Sequence, residues 1–178
     1  MLSFKLTPYP ALRLPNLEIS GAVERTGPRF SIRYVVTGEV QAVFMPEPAV
    51  TPARQHDLWK TTCFEFFLAP QGEPRYWEFN LSPAGHWNIY AMDAYRQVNM
   101  REEKSMPQPE FNFQKTEAGL SVVANADLSP ILPQEARLDI GITAVIHTVN
   151  GHESFWALAH PGPQADFHLR ESFVPVVE

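Results

Sequence analysis

The sequence predicts an all-β fold, an antiparallel β-sandwich of the immunoglobulin-like or jelly-roll-like kind with about ten strands. Segments rich in β-branched and aromatic residues recur between proline, glycine and asparagine positions, and few windows show the 3.6-residue period of a helix. The chain has 17 prolines against 9 glycines, and proline interrupts helices. At 178 residues, we expect one ligand-binding domain over residues 1–178.

The predicted strands follow one another from residue 18 to the end of the chain. They are Glu18 to Val23, Arg29 to Thr37, Thr61 to Ala69, Tyr76 to Leu81, His86 to Met92, Phe111 to Lys115, Leu120 to Ala126, Leu138 to Val149, Ser154 to Ala159 and Phe173 to Val177. The proline-containing stretches 44–51 and 102–109 are interpreted as loops rather than interdomain linkers, because each is short.

Charge and composition exclude several classes of partner. The chain has 14 Lys+Arg against 20 Asp+Glu and a formal net charge of -6, and it shows no basic stripe, so we expect no nucleic-acid partner. Residues 1–6 lack the apolar core of a signal peptide, and no run reaches the roughly 20 apolar residues of a membrane span. Cys63 is the single cysteine. We therefore expect a cytoplasmic protein without a membrane partner.

The most informative part of the sequence lies between Trp59 and Tyr90, where two turn signals separate three strand-like runs. Successive side chains of a strand point to opposite faces, so each run divides into two sets. One set is apolar: Phe64, Phe66, Leu68, Trp77, Phe79, Leu81, Trp87, Ile89 and Ala91. We expect this set to face the sandwich core, because burying each large side chain is worth about 1.5–3 kcal/mol.

The opposite face then gathers aromatic rings, amides and carboxylates on neighbouring strands. Its members are Trp59, Cys63, Glu65, Phe67, Tyr76, Glu78, Asn80, His86, Asn88 and Tyr90. This mixture is typical of a site for a sugar or another flat polar ligand, since rings stack on the ligand while amides and acids bond its hydroxyls. The alternative is a half-exposed sheet surface with Glu65 and Glu78 solvated.

The runs 58–68 and 76–83, together with Ser154–Pro161 and Asp166–Phe173, resemble the DOMON-like superfamily, and in particular a bacterial branch of free-standing DOMON-like proteins. This superfamily includes family 9 carbohydrate-binding modules and haem-binding domains. The resemblance implies a two-sheet sandwich with its ligand site on one sheet. In the carbohydrate-binding relatives two tryptophans clamp a sugar ring, a part that Trp59 and Trp156 could play here.

The haem-binding relatives ligate iron through a methionine and a histidine or lysine. The available side chains here are Met45, Met92, Met100, His160 and His168, and none of them stands in a haem-specific motif. Metal motifs such as His-Glu-x-x-His are also missing from the sequence, although the acids Asp57, Asp93, Glu102 and Glu103 leave calcium open.

The sequence therefore predicts a non-catalytic module that binds a saccharide or another small molecule without a cofactor or metal. The predicted ligand-binding residues are Trp59, Glu65, Glu78, Asn80, Asn88, Tyr90, Arg96, Trp156, His160, His168 and Arg170. Two alternatives stay open: a haem-binding redox domain, and a glycosidase-like enzyme that uses Glu65 and Glu78 as its two carboxylates. The sequence carries no signal for an oligomeric state.

Overall fold

The computed structural model describes residues 1–96 and 100–176, and these residues form thirteen β-strands and three short 3-10 helices with no α-helix. The strands are β1 (Leu2–Lys5), β2 (Thr7–Pro8), β3 (Leu17–Thr26), β4 (Arg29–Gly38), β5 (Cys63–Pro70), β6 (Tyr76–Leu81), β7 (Trp87–Met92), β8 (Arg101–Glu102), β9 (Glu110–Lys115), β10 (Leu120–Asp127), β11 (Leu138–His147), β12 (Glu153–Ala157) and β13 (Val174–Pro175). The 3-10 helices are Val40–Ala42, Leu58–Lys60 and Arg170–Ser172. No helix within the described ranges is long and apolar enough to cross a membrane.

The strands form two antiparallel sheets that pack face to face as a β-sandwich. The smaller sheet has the order β1-β3-β4-β10-β9, and the larger has the order β2-β12-β11-β5-β6-β7-β8. Strand β13 pairs with β11 at Asp139 and Ile140, beside the part of β11 that pairs with β12. Strand β5 therefore lies near the middle of the larger sheet, with β6 and β7 completing a meander on one side.

The core between the sheets is built from the apolar set that the alternation predicts. Phe66 stacks between Phe79, at 4.4 Å between ring centroids, and Phe30 of the smaller sheet, at 5.0 Å. Tyr34 is fully buried there and donates its hydroxyl to the carbonyl of Glu65 at 2.6 Å. The inward direction of the phenylalanine row is confirmed, and it fixes which side chains of β5, β6 and β7 point the other way.

All ten predicted strands are present, and their ends shift by a few residues. The last one was expected to reach Val177, which lies outside the described residues. Strands β1, β2 and β8 were missed. They are short and lie at sheet edges, where pairing with a neighbour rather than local sequence pattern defines a strand. For β1 a signal was present, because Leu2, Phe4 and Leu6 alternate with polar residues.

Candidate ligand-binding site

The outward face of the larger sheet carries two rows of residues that run across four paired strands. In register order the first row is Thr143, Glu65, Asn80 and Asn88, and the second is Gly141, Phe67, Glu78 and Tyr90. Glu65 and Glu78 are thus diagonal neighbours on β5 and β6, since Glu65 pairs with Asn80 and Glu78 pairs with Phe67. Both carboxylates point away from the sandwich core, as the alternation predicts.

Two chain segments fold over this face and bury much of it. Residues 54–60 cover one side, where His56 Nδ1 lies 3.0 Å from Tyr90 Oη and the rings of Trp59 and Tyr90 meet edge to face at 6.1 Å. Residues 160–173 cover the other side, where His168 Nδ1 lies 2.8 Å from Tyr76 Oη. The face is therefore neither a plain solvent surface nor completely filled by the protein.

An open pocket of about 430 Å³ remains above the two acids, and residues of both covering segments line it. This volume falls in the range of about 300–1,000 Å³ that ligand sites occupy. The lining residues are Trp59, Lys60, Glu65, Phe67, Glu78, Arg96, Met100, Val145, Glu153, Phe155, Ala165, Phe167 and His168. The rings of Trp59, Phe155 and Phe167 are partly exposed and form its walls.

Glu65 lies at the base of the pocket with only 2% of its surface exposed. Its Oε2 accepts a hydrogen bond from Thr143 Oγ1 at 3.2 Å, and its Oε1 is buried without a hydrogen-bond partner among the described residues. Burial, reinforced by the negative charge of Glu78, raises the pKa of Glu65 well above its ordinary value. An unsatisfied buried carboxylate oxygen is costly, and it is a position that a ligand donor can satisfy.

Glu78 is 5% exposed, and its Oε1 accepts a hydrogen bond from Asn80 Nδ2 at 2.8 Å. Burial raises the pKa of Glu78 to about 7, against the lowering effects of that hydrogen bond and of the more distant Arg96. His168 Nε2 lies 3.9 Å from Glu78 Oε2. Burial also lowers the pKa of His168 to about 4, so this imidazole is neutral at neutral pH.

The rim of the pocket holds two cations that already have acidic partners. Arg96 makes a two-pronged contact with Asp166, at 3.1 Å from Nε and 3.0 Å from Nη2, and Tyr95 Oη donates to the same carboxylate at 2.6 Å. Lys60 Nζ pairs with Asp57 at 2.6 Å. The contact of Arg96 with Asp166 ties the chain after β7 to the C-terminal segment at the edge of the pocket.

Five of the predicted site residues line this pocket together: Trp59, Glu65, Glu78, Arg96 and His168. Asn80 lies beneath them, fully buried, and holds Glu78 through its amide. The alternative of a surface with solvated acids does not describe this geometry, because Glu65 and Glu78 are both buried.

Asn88 and Tyr90 were predicted to contact the ligand, but the protein already uses their polar groups. Asn88 Oδ1 accepts from Arg54 Nη1 at 3.1 Å, and its Nδ2 lies 3.0 Å from the carbonyl oxygen of Gln55, from Tyr90 Oη and from Glu102 Oε1. Arg54 also stacks on the ring of Trp87 at 4.0 Å. This network anchors the segment that covers the sheet, and neither Asn88 nor Tyr90 lines the pocket.

The remaining predicted residues, Trp156, His160 and Arg170, do not line the pocket. The expected clamp of a sugar ring between Trp59 and Trp156 is therefore wrong. Trp156 is 2% exposed within the core between the sheets and donates its indole N–H to Ser154 Oγ at 3.0 Å. His160 Nε2 lies 2.9 Å from the carbonyl oxygen of Thr7, and Arg170 bonds Asp139 at 3.2 Å while lying over the Phe173 ring. Strand alternation turns Trp156 inward, so it cannot face Trp59.

Sequence reasoning missed the aromatic wall formed by Phe155 and Phe167, whose rings lie 6.1 Å apart. A signal for Phe155 was present, because alternation along β12 places it on the face opposite Trp156 and beside Glu153. Phe167 lies outside the strands, and only the fold of the C-terminal segment brings it to the pocket.

The candidate metal ligands of the described residues do not form a cluster, whereas two of the candidate haem ligands share the pocket. The described residues contain no group of three or more His, Cys, Asp or Glu that could hold a metal ion. The proposed calcium acids have separate partners, with Asp93 bonded to Arg101 and Glu103 bonded to Trp77 and Ser105. Met100 and His168 do line the same pocket.

A larger cavity of about 830 Å³ opens at the end of the smaller sheet, between Arg29 and the loop 106–109. Its only aromatic lining residue in the described chain, Phe30, is 2% exposed and belongs to the core. We therefore place the candidate site at the smaller pocket, where partly exposed rings lie near buried acids.

The fold and this pocket define a two-sheet β-sandwich with a ligand-sized site on the outer face of one sheet. The chain is similar in fold to the crystal structure of a "putative carbohydrate-binding protein" from Bacteroides uniformis ATCC 8492, with a TM-score of 0.65 and 16% sequence identity over 96% of this chain and 84% of that one. No protein-family model and no curated protein matches the chain. The DOMON-like resemblance stays a prediction from the sequence motifs.

Proposed function

We propose that this protein is a non-catalytic binding module whose ligand is a saccharide or sugar derivative held in the pocket on the larger sheet. The observation that carries the proposal is the position of the partly exposed rings of Trp59, Phe155 and Phe167 above the buried carboxylates of Glu65 and Glu78. Rings stack on the apolar face of a sugar, and acids accept hydrogen bonds from its hydroxyls. The similarity in fold to the protein described as a "putative carbohydrate-binding protein" supports the same ligand class.

Tryptophan fluorescence tests the proposal because only one of the four tryptophans reaches the pocket. Trp77, Trp87 and Trp156 are 6%, 6% and 2% exposed. A saccharide that binds should change the emission of Trp59 saturably across a panel of mono- and oligosaccharides. Calorimetry of Trp59→Phe and Trp59→Ala should give a small loss and a loss of roughly tenfold or more in affinity, respectively.

A matched control for these variants is Phe44→Ala, since Phe44 is a 40% exposed ring that does not line the pocket. The control should bind each saccharide as the unmodified protein does. A flat response of the unmodified protein to the whole panel, in both fluorescence and calorimetry, rejects the proposal.

A haem-binding redox domain is a second candidate, favoured by the presence of Met100 and His168 in one pocket. The contacts of His168 weigh against it: Nδ1 is 2.8 Å from Tyr76 Oη, and Nε2 is directed toward Glu78 Oε2 at 3.9 Å. This candidate requires a shifted Soret band when the protein is mixed with haem, and the band must be lost in His168→Ala.

A glycosidase-like activity of Glu65 and Glu78 is the remaining alternative. Such enzymes pair one protonated acid with one ionised carboxylate. Here burial raises the pKa of both acids, that of Glu78 to about 7, and the charge of Glu78 raises the pKa of Glu65 further, so slightly above neutral pH the pair would hold one proton, as this alternative requires. Turnover of a chromogenic glycoside that disappears in Glu78→Gln would establish the enzyme and overturn the non-catalytic assignment.

A further inference from the structure

The acids at the base of the pocket have no cationic partner within residues 1–96 and 100–176, because no lysine or arginine there forms an ion pair with Glu65 or Glu78. Of their four oxygens, Glu65 Oε2 and Glu78 Oε1 each accept one hydrogen bond from a neutral donor, and Glu65 Oε1 accepts none. Two buried carboxyls without a counter-ion are costly unless protons or a bound cation neutralise them.

The cations near the pocket do not fill this role. Lys60 pairs with Asp57 at 2.6 Å, and Arg96 pairs with Asp166 at 3.0 Å. His168 is closest to Glu78, but its burial keeps the imidazole neutral at neutral pH. A positively charged group of a ligand could therefore occupy the place beside Glu65 and Glu78.

We propose that the pocket selects an amino sugar, and that the ligand's ammonium group lies between the Glu65 and Glu78 carboxylates as their counter-ion. This inference rests on the proposed saccharide-binding function and specifies the substituent that the site recognises. An ammonium donates three hydrogen bonds, and Glu65 Oε1 is a buried acceptor without a partner in the described residues. The faces of Trp59, Phe155 and Phe167 also attract a cation through their ring quadrupoles.

Binding of a cation at this position must release a proton when the acids are protonated beforehand. Burial raises the pKa of Glu78 to about 7, so at slightly acidic pH its carboxyl carries a proton in the free protein. The bound ammonium favours the carboxylate, and the proton passes from Glu78 to solvent. The charged or titratable groups that face or adjoin the pair are Tyr34, Lys60, Cys63, Tyr76, Tyr90, Arg96, Glu153, Asp166 and His168.

Titration calorimetry with matched sugars provides the test. Glucosamine and 6-amino-6-deoxyglucose are compared with glucose and N-acetylglucosamine at about pH 6, where the amines are charged and Glu78 is mostly protonated, in two buffers of different ionisation enthalpy. We expect the amino sugars to bind roughly tenfold more tightly than the neutral ones. Their observed enthalpies should differ between the buffers and indicate release of a fraction of a proton per site.

Glu65→Gln and Glu78→Gln are the decisive variants, because each keeps the shape of the side chain and removes its charge. Each folded variant should lose most of the preference for the amine and should release less of a proton than the unmodified protein, because burial raises the pKa of both acids. Glu117→Gln is the matched control, since Glu117 is exposed and does not line the pocket. It should keep both properties.

The outcomes separate this inference from the proposed function. Equal binding of neutral and amino sugars without proton release overturns the ammonium site and leaves saccharide binding in place. No binding of any sugar by the unmodified protein rejects both. If the two glutamine variants fail to fold, the buffer dependence of the unmodified protein still decides the matter, because proton release with the amines alone supports the site and its absence contradicts it.

Discussion

Trp59 and Trp156 lie on opposite faces of the larger sheet. Trp59 packs against the outer cluster with Tyr90, and Trp156 lies within the core between the sheets. The same amino acid therefore lines a pocket in one place and fills the core in the other. Each should respond to substitution in a different measurement.

Replacement of these two tryptophans should separate affinity from stability. Trp156→Ala removes a 2% exposed ring from the core and should lower the free energy of unfolding by about 3–5 kcal/mol. Trp59→Ala removes a half-buried ring of the pocket wall, so it should mainly weaken ligand binding. Urea unfolding followed by circular dichroism measures the first effect. A larger loss of stability for Trp59→Ala than for Trp156→Ala would contradict the assignment of the two faces.

Phe66 should be among the most sensitive positions of the core, because it stacks with Phe79 at 4.4 Å and with Phe30 at 5.0 Å and so connects the two sheets. Phe66→Ala should reduce the free energy of unfolding by about 3–5 kcal/mol, since the rigid neighbours cannot close the cavity. Phe44→Ala, at a 40% exposed ring, should change it little. Chemical denaturation of the two variants under the same conditions checks the difference.

Glu78→Gln should stabilise the protein increasingly as pH rises. The folded pKa of Glu78, about 7, lies above its ordinary value of 4.5. Its contribution to stability is thus fully present below about pH 4.5 and is lost as pH rises through about 7. The uncharged glutamine avoids this loss, so the free energy of unfolding of the variant should exceed that of the unmodified protein by roughly 1–3 kcal/mol at about pH 8.

Comparing the pH dependence of stability between the variant and the unmodified protein separates the effect of Glu78 from groups whose stability contribution changes with pH in the opposite direction. The lowered pKa of His168, about 4, gives a contribution that is present above pH 6.5 and is lost as pH falls through about 4. Unfolding curves should be collected across this range for both proteins. A stability difference that stays constant with pH would show that Glu78 titrates normally.

Gly141 should be required for the C-terminal segment to cover the sheet. A Cβ atom at this position would lie 2.6 Å from Cε1 of Phe173, whose ring packs on Phe67 at 5.7 Å. Gly141→Ala therefore forces Phe173 to move and should cost about 1–3 kcal/mol of stability. A double-mutant cycle with Phe173→Ala tests the mechanism, because Gly141→Ala should then have almost no effect. If the stability losses of the two substitutions simply add, the added methyl group does not clash with Phe173.

Much of the fold follows from local pattern, because side chains alternate between the two faces of every strand. That rule alone sends Phe64, Phe66 and Phe79 inward and leaves Glu65 and Glu78 on the outer face, as the structure has them. Short edge strands were not predicted, since a strand of two residues such as β8 has no alternation to detect and exists through its pairing with β7.

The site was predicted only in part. The alternation of side chains along the strands identified the base of the pocket and Trp59. It could not show that residues 54–60 would occupy the polar groups of Asn88 and Tyr90 with hydrogen bonds. It also could not bring Phe167 and His168 over the sheet, because these residues come from a C-terminal segment far from β5 and β6 in the sequence.

The sequence by itself determined the sandwich, the direction of the phenylalanine row and the placement of two acids on one face, since these depend on a period of two residues within single strands. Only the tertiary structure decided which part of that face stays open. The C-terminal segment covers the face through contacts between residues distant in sequence, such as His168 with Tyr76 and Arg96 with Asp166. Those contacts turn a polar sheet surface into a walled pocket with buried, unpaired carboxyls at its base within the described chain.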